Sequence, residues 1–243
     1  MSIIHIFVDL IPATEELILK DPQKVHHLKD VLRIKRNEKI ILFDQRNQYL
    51  FRIKEIQDKE IILIKEKELP FLDILPHISV GLSLIKKTKV MDDLIDKLTQ
   101  LGVYKIIPLL SERTQINWDE EKKLKQILRW RKISINASQQ AKRSFLPIIE
   151  KVKKLEEIFN EEAELKLIFT LQEKGLALNS FFKEKKFNSI LILIGPEGDF
   201  SLKEINLAKK KGFLTASLGE LTLRVETAVI SVVSFIRLLY AKS

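Results

Sequence analysis

The chain has no cysteine, which excludes a disulfide framework and any thiolate metal or redox site. Its four histidines, His5, His26, His27 and His77, lack the spacing of metal ligands, so no metal is expected. The opening run MSIIHIFVDL has no basic stretch ahead of a long apolar one and does not read as a signal peptide. The most apolar late segment, TAVISVVSFIRLLY, is interrupted by Arg237 and is too short to span a bilayer, so no membrane partner is expected. Internal repeats and low-complexity tracts are missing as well. A globular, cytoplasmic protein is the expectation these absences leave.

What is present fits that expectation. The 243 residues, 45% of them hydrophobic, suffice for one large domain or two modest ones with a real core. Lysine and arginine number 42 against 33 acids, a net charge of +9. Residues 1–75 hold 13 basic and 13 acidic residues, so the whole excess lies beyond them. Within the neutral part, Lys24 to Arg46 still carries seven cations against three anions. A basic face suits nucleic acid, because neutralised phosphates release counterions; a solvated lysine-rich surface gives the same count.

The pattern changes once along the chain. EKIILFD, QYLFRIKEI and EIILIKE are short Ile- and Phe-rich runs separated by turn-prone DQRN and QDK, which predicts a small barrel or sandwich. DPQKVHHLKDVLRI has helical character, with Pro22 tolerable in a first turn. ELPFLDILPH, with its two prolines, marks a boundary between domains at 1–72 and 73–243. Beyond it HISVGLSLI, YKIIPLL, LKLIFTL, SILILIG and FLTASLG read as strands. Between the first two, Val90, Leu94, Ile95, Leu98 and Leu101 form a helical stripe that ends at Gly102. A long helix follows from about Asn117, with Asp119, Glu120 and Glu121 in its first turn. Alternating strands and helices predict an α/β domain with a largely parallel sheet. The last helix is apolar on nearly every side, so it must be buried in the domain or at a subunit interface.

Two loops between strand and helix carry the chemistry. In ILILIGPEGDFSLKE a strand ends in Gly195-Pro196-Glu197-Gly198, and Ser201 with Glu204 forms a capping-box pattern. The loop has no phosphate-binding lysine and offers a carboxylate instead, which repels phosphate and suits a cation or a hydrogen-bond donor. A tight turn without a ligand accounts for the same residues. The second loop, SLGELTLRVETAVIS, places Arg224, Glu226 and Thr227 at the entry to the apolar helix. Charges there are costly unless paired with each other or used. Two such loops at the carboxyl ends of neighbouring strands form the ligand crevice of an α/β sheet.

LIGPEGDFSLKEI and LGELTLRVETA resemble the two signature loops of the bacterial 16S rRNA uracil-N3 methyltransferases, members of the SPOUT superfamily. HHLKDVLRIKRNEKIILFD, KVMDDLIDKLTQLGVYKIIPLLSERT and SQQAKRSFLP are similar to further segments of that family, so the resemblance spans nearly the whole chain. It implies an amino-terminal PUA-like RNA-binding β-barrel and a carboxy-terminal α/β domain tied in a trefoil knot. It also implies a homodimer, and as substrate one uridine of 16S rRNA, customarily U1498, in the 30S ribosomal subunit. S-adenosylmethionine is the implied cofactor. The residues expected to hold it are Ile194, Gly195, Pro196, Glu197 and Gly198 in the first loop, and Leu218, Gly219, Leu223, Arg224, Thr227 and Ala228 in the second. Leu171, after an earlier strand, completes that set.

For the chemistry, uracil N3 must lose a proton before it attacks, so a cation for the developing oxyanion and a proton acceptor are needed. Arg224 is assigned the first role, on the oxyanion or an RNA phosphate, and Glu226 or Glu197 the second. His27, Arg33, Lys35 and Arg36 are placed on RNA in the first domain. Lys86, Lys87, Lys89, Arg113, Gln140, Lys142 and Arg143 are placed on RNA near the active site. Four positions depart from the family pattern: Gln100 and Gln139 stand where carboxylates are usual, Asn37 for a turn glycine, and Val225 for a threonine.

Overall fold

A computed structural model describes residues 3–183 and 185–241. It separates into two compact units, the chain up to Asp73 together with Ser138–Leu146, and Ile74–Ala137 together with the chain from Pro147.

The first unit is built on five strands, β1 (Ile4–Phe7), β2 (Glu16–Leu19), β3 (Lys39–Phe43), β4 (Gln48–Ile56) and β5 (Ile61–Glu68). Their order is β1-β3-β4-β5-β2, antiparallel except for β1 beside β3. The ladder has two ends, β1 and β2, so the expected barrel is open along that seam. Ile6, Leu17, Leu28, Ile40, Leu42, Phe51, Ile53, Ile61 and Leu63 fill its interior. The helical segment begins at α1 (Pro22–His26), where Asp21 accepts from the backbone N–H groups of Gln23 and Lys24, and continues as a π-helical turn, His27–Val31. Asn37, in place of the turn glycine, adopts φ 69°.

The second unit carries β6 (His77–Ser83), α2 (Thr88–Gln100), β7 (Lys105–Leu110), α3 (Glu120–Gln140), β8 (Ile148–Ile149), β9 (Lys153–Lys154), α4 (Leu155–Ile158), β10 (Leu165–Phe169), β11 (Leu176–Ala177), β12 (Ser189–Ile194), α5 (Leu202–Lys210), β13 (Leu214–Ser217) and α6 (Val225–Leu239). The sheet order is β11-β13-β10-β12-β6-β7-β8, with β9 also on β7, and every pair is parallel. Strand β12 shows why the run ILILI, residues 190–194, is apolar throughout. Ile190, Ile192 and Ile194 join the core under α2 and α6, while Leu191 and Leu193 join the core under α4 and α5. Helix α2 ends as its glycine predicts, with Gly102 at φ 77°. No helix among the described residues is long and apolar enough to cross a membrane.

Candidate active site

Parallel strands deliver their following loops to one edge of the sheet. A cavity of about 510 Å³ opens there, outside the carboxyl ends of β6, β10, β12 and β13. Ile85 follows β6, Thr170 and Leu171 follow β10, Gly195 to Glu197 follow β12, and Leu218 to Arg224 follow β13. Val225, Glu226 and Ala228, from the first turn of α6, complete the wall. The floor is apolar, with Val90, Phe169, Ile194 and Ala216. The rim is charged: Lys87 and Arg224 against Glu197, Asp199 and Glu226. Among the described residues, Arg224, Glu226 and Glu197 are in no ion pair or side-chain hydrogen bond. The mutual Arg224–Glu226 pairing that the sequence leaves open is thus not made, and all three charges remain available to a ligand.

The loop after β12 is held from two sides. Asp199 sits at φ 61°, a left-handed conformation tolerated by Asp and Asn more readily than by most residues. Its Oδ2 accepts from Thr170 Oγ1 at 2.9 Å and Leu171 N–H at 2.7 Å, and its Oδ1 from Phe200 N–H at 2.7 Å. From the other side, Arg113 donates to the Gly198 carbonyl at 2.8 Å. The expected capping box is formed: Ser201 Oγ accepts from Glu204 N–H, and Glu204 Oε2 accepts from Ser201 N–H. It is extended beyond its own helix, because Ser201 Oγ donates to Glu112 Oε2 at 2.7 Å and Glu204 Oε1 accepts from Glu112 N–H at 2.7 Å.

Most of the residues expected around the cofactor are brought together. Leu171, Ile194, Gly195, Pro196, Glu197, Leu218, Gly219, Leu223, Arg224 and Ala228 all line the cavity. Two do not. The Gly198 carbonyl is engaged by Arg113, and Thr227 lies exposed on α6, turned from the lining. The Leu171 N–H is likewise occupied by Asp199, so Leu171 presents its side chain and carbonyl only. The reading from sequence missed Asp199, Ser217 and Thr222, which lie within the two quoted loops, Thr170 at the end of an earlier strand, and Ile85 and Val90, which reach the cavity from elsewhere.

The RNA-binding set is distributed unevenly. His27, Arg33, Lys35 and Arg36 are exposed on the first unit, along with Gln140 and Lys142. Arg33 and Lys142 hold left-handed backbone, φ 52° and 55°. Lys86, Lys89 and Arg113 are exposed on the second unit, and Lys87 lines the cavity itself. Arg143 requires correction. It is only 4% exposed, with its guanidinium 4.5 Å from the centre of the Phe145 ring, so it is not presented on the surface as the other cations of the set are. The two glutamines that replace carboxylates use their amides. Gln139 Oε1 accepts from Phe7 N–H, and Gln100 Nε2 donates to Asp96.

Comparison with known proteins agrees with this architecture. Residues 73–237 match the family model for the RNA methyltransferase domain, and residues 19–66 match that for the RNA methyltransferase PUA domain. The ribosomal RNA small subunit methyltransferase E of Aquifex aeolicus is 32% identical over 96% of this chain and 98% of its own length. That of Mesomycoplasma hyopneumoniae is 34% identical over 85% and 87%. A Legionella pneumophila protein solved in complex with bound SAM superimposes with a TM-score of 0.86 at 28% identity, covering 98% of both chains.

Proposed function

The chain belongs to the RNA methyltransferase family that includes the ribosomal RNA small subunit methyltransferases E, and from that premise we propose its reaction. It transfers a methyl group from S-adenosylmethionine to N3 of one uridine, U1498, of 16S rRNA, on the assembled small subunit. The observation that carries this reading is the set of charges on one cavity, Arg224, Glu226 and Glu197, with no ion pair or side-chain hydrogen bond among the described residues.

The cavity suits such a cofactor chemically. An apolar floor accommodates a nucleoside, the Gly195–Gly198 loop carries a carboxylate in place of a phosphate-binding lysine, and the rim carboxylates tolerate a cation. Ile194, Gly195, Pro196, Leu218, Gly219, Leu223 and Ala228 would hold it. When bound, S-adenosylmethionine supplies a methyl group on a positively charged sulfur. The chain's own residues then have two tasks. The Arg224 guanidinium stabilises negative charge developing on a uracil oxygen. A carboxylate of Glu226 or Glu197 receives the N3 proton. Glu226 is half-buried where α6 begins, and Glu197 is exposed at the loop tip. Positioning of the donor and the base against each other supplies the rest of the acceleration.

Exposed His27, Arg33, Lys35 and Arg36 hold RNA through backbone phosphates, and the target base leaves its stack to reach the cavity. The proposal includes the trefoil threading implied by the resemblance and a second copy of the chain against α6. Labelled methyl transfer to unmodified small subunits tests the assignment of residues. Arg224→Ala lowers turnover by roughly 100- to 1000-fold while S-adenosylmethionine still binds. Turnover near wild type refutes the role of Arg224. Full activity in both Glu226→Gln and Glu197→Gln refutes a carboxylate base.

A further inference from the structure

The cavity's two walls come from different strands, and one carboxylate joins them. Thr170 and Leu171 stand at the end of β10, Gly195 to Glu197 at the end of β12, and Asp199 bridges the two. Its Oδ2 accepts from Thr170 Oγ1 and Leu171 N–H, while Thr170 Oγ1 itself accepts from Gln172 N–H at 3.0 Å. The result is a relay that runs from the chain after β10 into the loop after β12. Asp199 meets these donors from a left-handed backbone, a conformation that persists only where surrounding interactions enforce it. A second tie joins the same segments farther out, Lys209 to Glu173 at 3.0 and 3.1 Å, but it is solvent-exposed and worth little.

We propose that Asp199 is a positioning residue, a clasp that fixes the two cavity walls at the spacing the methyl donor requires. The inference rests on the S-adenosylmethionine reading of the cavity. It requires a group that only accepts hydrogen bonds, because every neighbour that the Asp199 carboxylate engages is a donor. Asparagine keeps the shape and tolerates the backbone, yet turns an amide N–H toward one of those donors. Glycine removes the clasp while relieving the left-handed strain, so this variant has no backbone reason to misfold.

Calorimetric titration of S-adenosylmethionine into the full-length protein, with steady-state kinetics, tests this. Asp199→Asn and Asp199→Gly should weaken binding about tenfold or more and raise KM for the methyl donor in parallel. Their kcat at saturating donor should stay within about twofold of wild type, since binding lost equally in the ground and transition states raises KM alone. Thr170→Val should weaken binding too, and adding it to Asp199→Asn should cost less than the sum of the single effects. Lys209→Ala, removing only the outer tie, should bind as wild type does. Binding within twofold of wild type in both Asp199 variants overturns the proposal. If wild type itself fails to bind S-adenosylmethionine, the reading of the cavity fails separately. Amide exchange in the protein alone then decides the clasp: faster exchange at Leu171 in Asp199→Asn supports it, and an unchanged rate overturns it.

Discussion

At the scale of single residues, two aspartates hold loops by accepting from backbone. Asp44, buried just past β3, accepts from the N–H groups of Ile11, Arg46 and Asn47. Burial alone would push its carboxyl up, but these hydrogen bonds prevail and its pKa falls below the usual 3.8. A depressed folded pKa means that the unfolded chain takes up the proton first. The stabilisation is therefore present above about pH 4 and lost as pH falls through the lowered value. Asp44→Ala should cost about 2–3 kcal/mol in urea unfolding at pH 7, and the difference from wild type should shrink toward pH 3. Gly219 makes a different contribution. At φ 112° in the second cavity loop, with open space around it, it is limited by backbone conformation and not by room. Gly219→Ala should therefore weaken cofactor binding by forcing the loop to move, while urea stability falls by only about 1–2 kcal/mol. Arg224, Glu226 and Glu197 were legible in sequence as candidates because they sit inside two contiguous motifs. Asp199 sits in the same stretch and was passed over, since its partners Thr170 and Leu171 lie 29 and 28 positions earlier and nothing local announces them. Arg113 shows the same blindness across 85 positions, and Arg143 shows that a matched motif does not reveal which way a cation faces.

At the scale of elements, strands such as β12 were the most legible, because between two covered faces its residues 190–194 must all be apolar. The stripe on α2 was legible for the same reason of period, although Met91 joins it and was not counted. Less legible was Arg237, which in sequence only interrupts an apolar run. Its guanidinium donates to the carbonyls of Leu101 and Gly102, where α2 ends, and of Ile74. It thereby satisfies carbonyls left over at a helix terminus and places a cation at the negative end of the dipole. Burial lowers its pKa to about 10, so it remains charged at pH 7. Arg237→Lys keeps the charge but not the fork of donors, and it should destabilise the protein by roughly 1–3 kcal/mol in urea unfolding. Helix α6 also leaves apolar surface uncovered in the single chain, with Leu238 76% exposed and Leu239 45%. The proposed second copy would cover it. Leu238→Lys should then shift sedimentation from dimer toward monomer, whereas an unchanged distribution would place the interface elsewhere.

At the scale of the whole molecule, the two units carry different candidate features. The first unit presents exposed His27, Arg33, Lys35 and Arg36, and the second builds the cavity from four parallel strand ends. The change of pattern near ELPFLDILPH was visible in composition. The return of Ser138–Leu146 to the first unit was not, because it depends on tertiary contacts such as Phe7 N–H with Gln139 across 132 positions. The trefoil threading has no physical signature in a single sequence at all, since unknotted connections are the strong default, and only the family resemblance implies it. The reaction itself stands on one claim, that the charges on this cavity serve methyl transfer to a uracil nitrogen. Mass-spectrometric mapping of unmodified small subunits treated with the purified protein and S-adenosylmethionine tests it most directly. The account predicts one new methyl group, on N3 of the single uridine U1498, and none when Arg224→Ala replaces wild type at equal time. Methylation of a ribose oxygen, of another base, or of no nucleotide would contradict it.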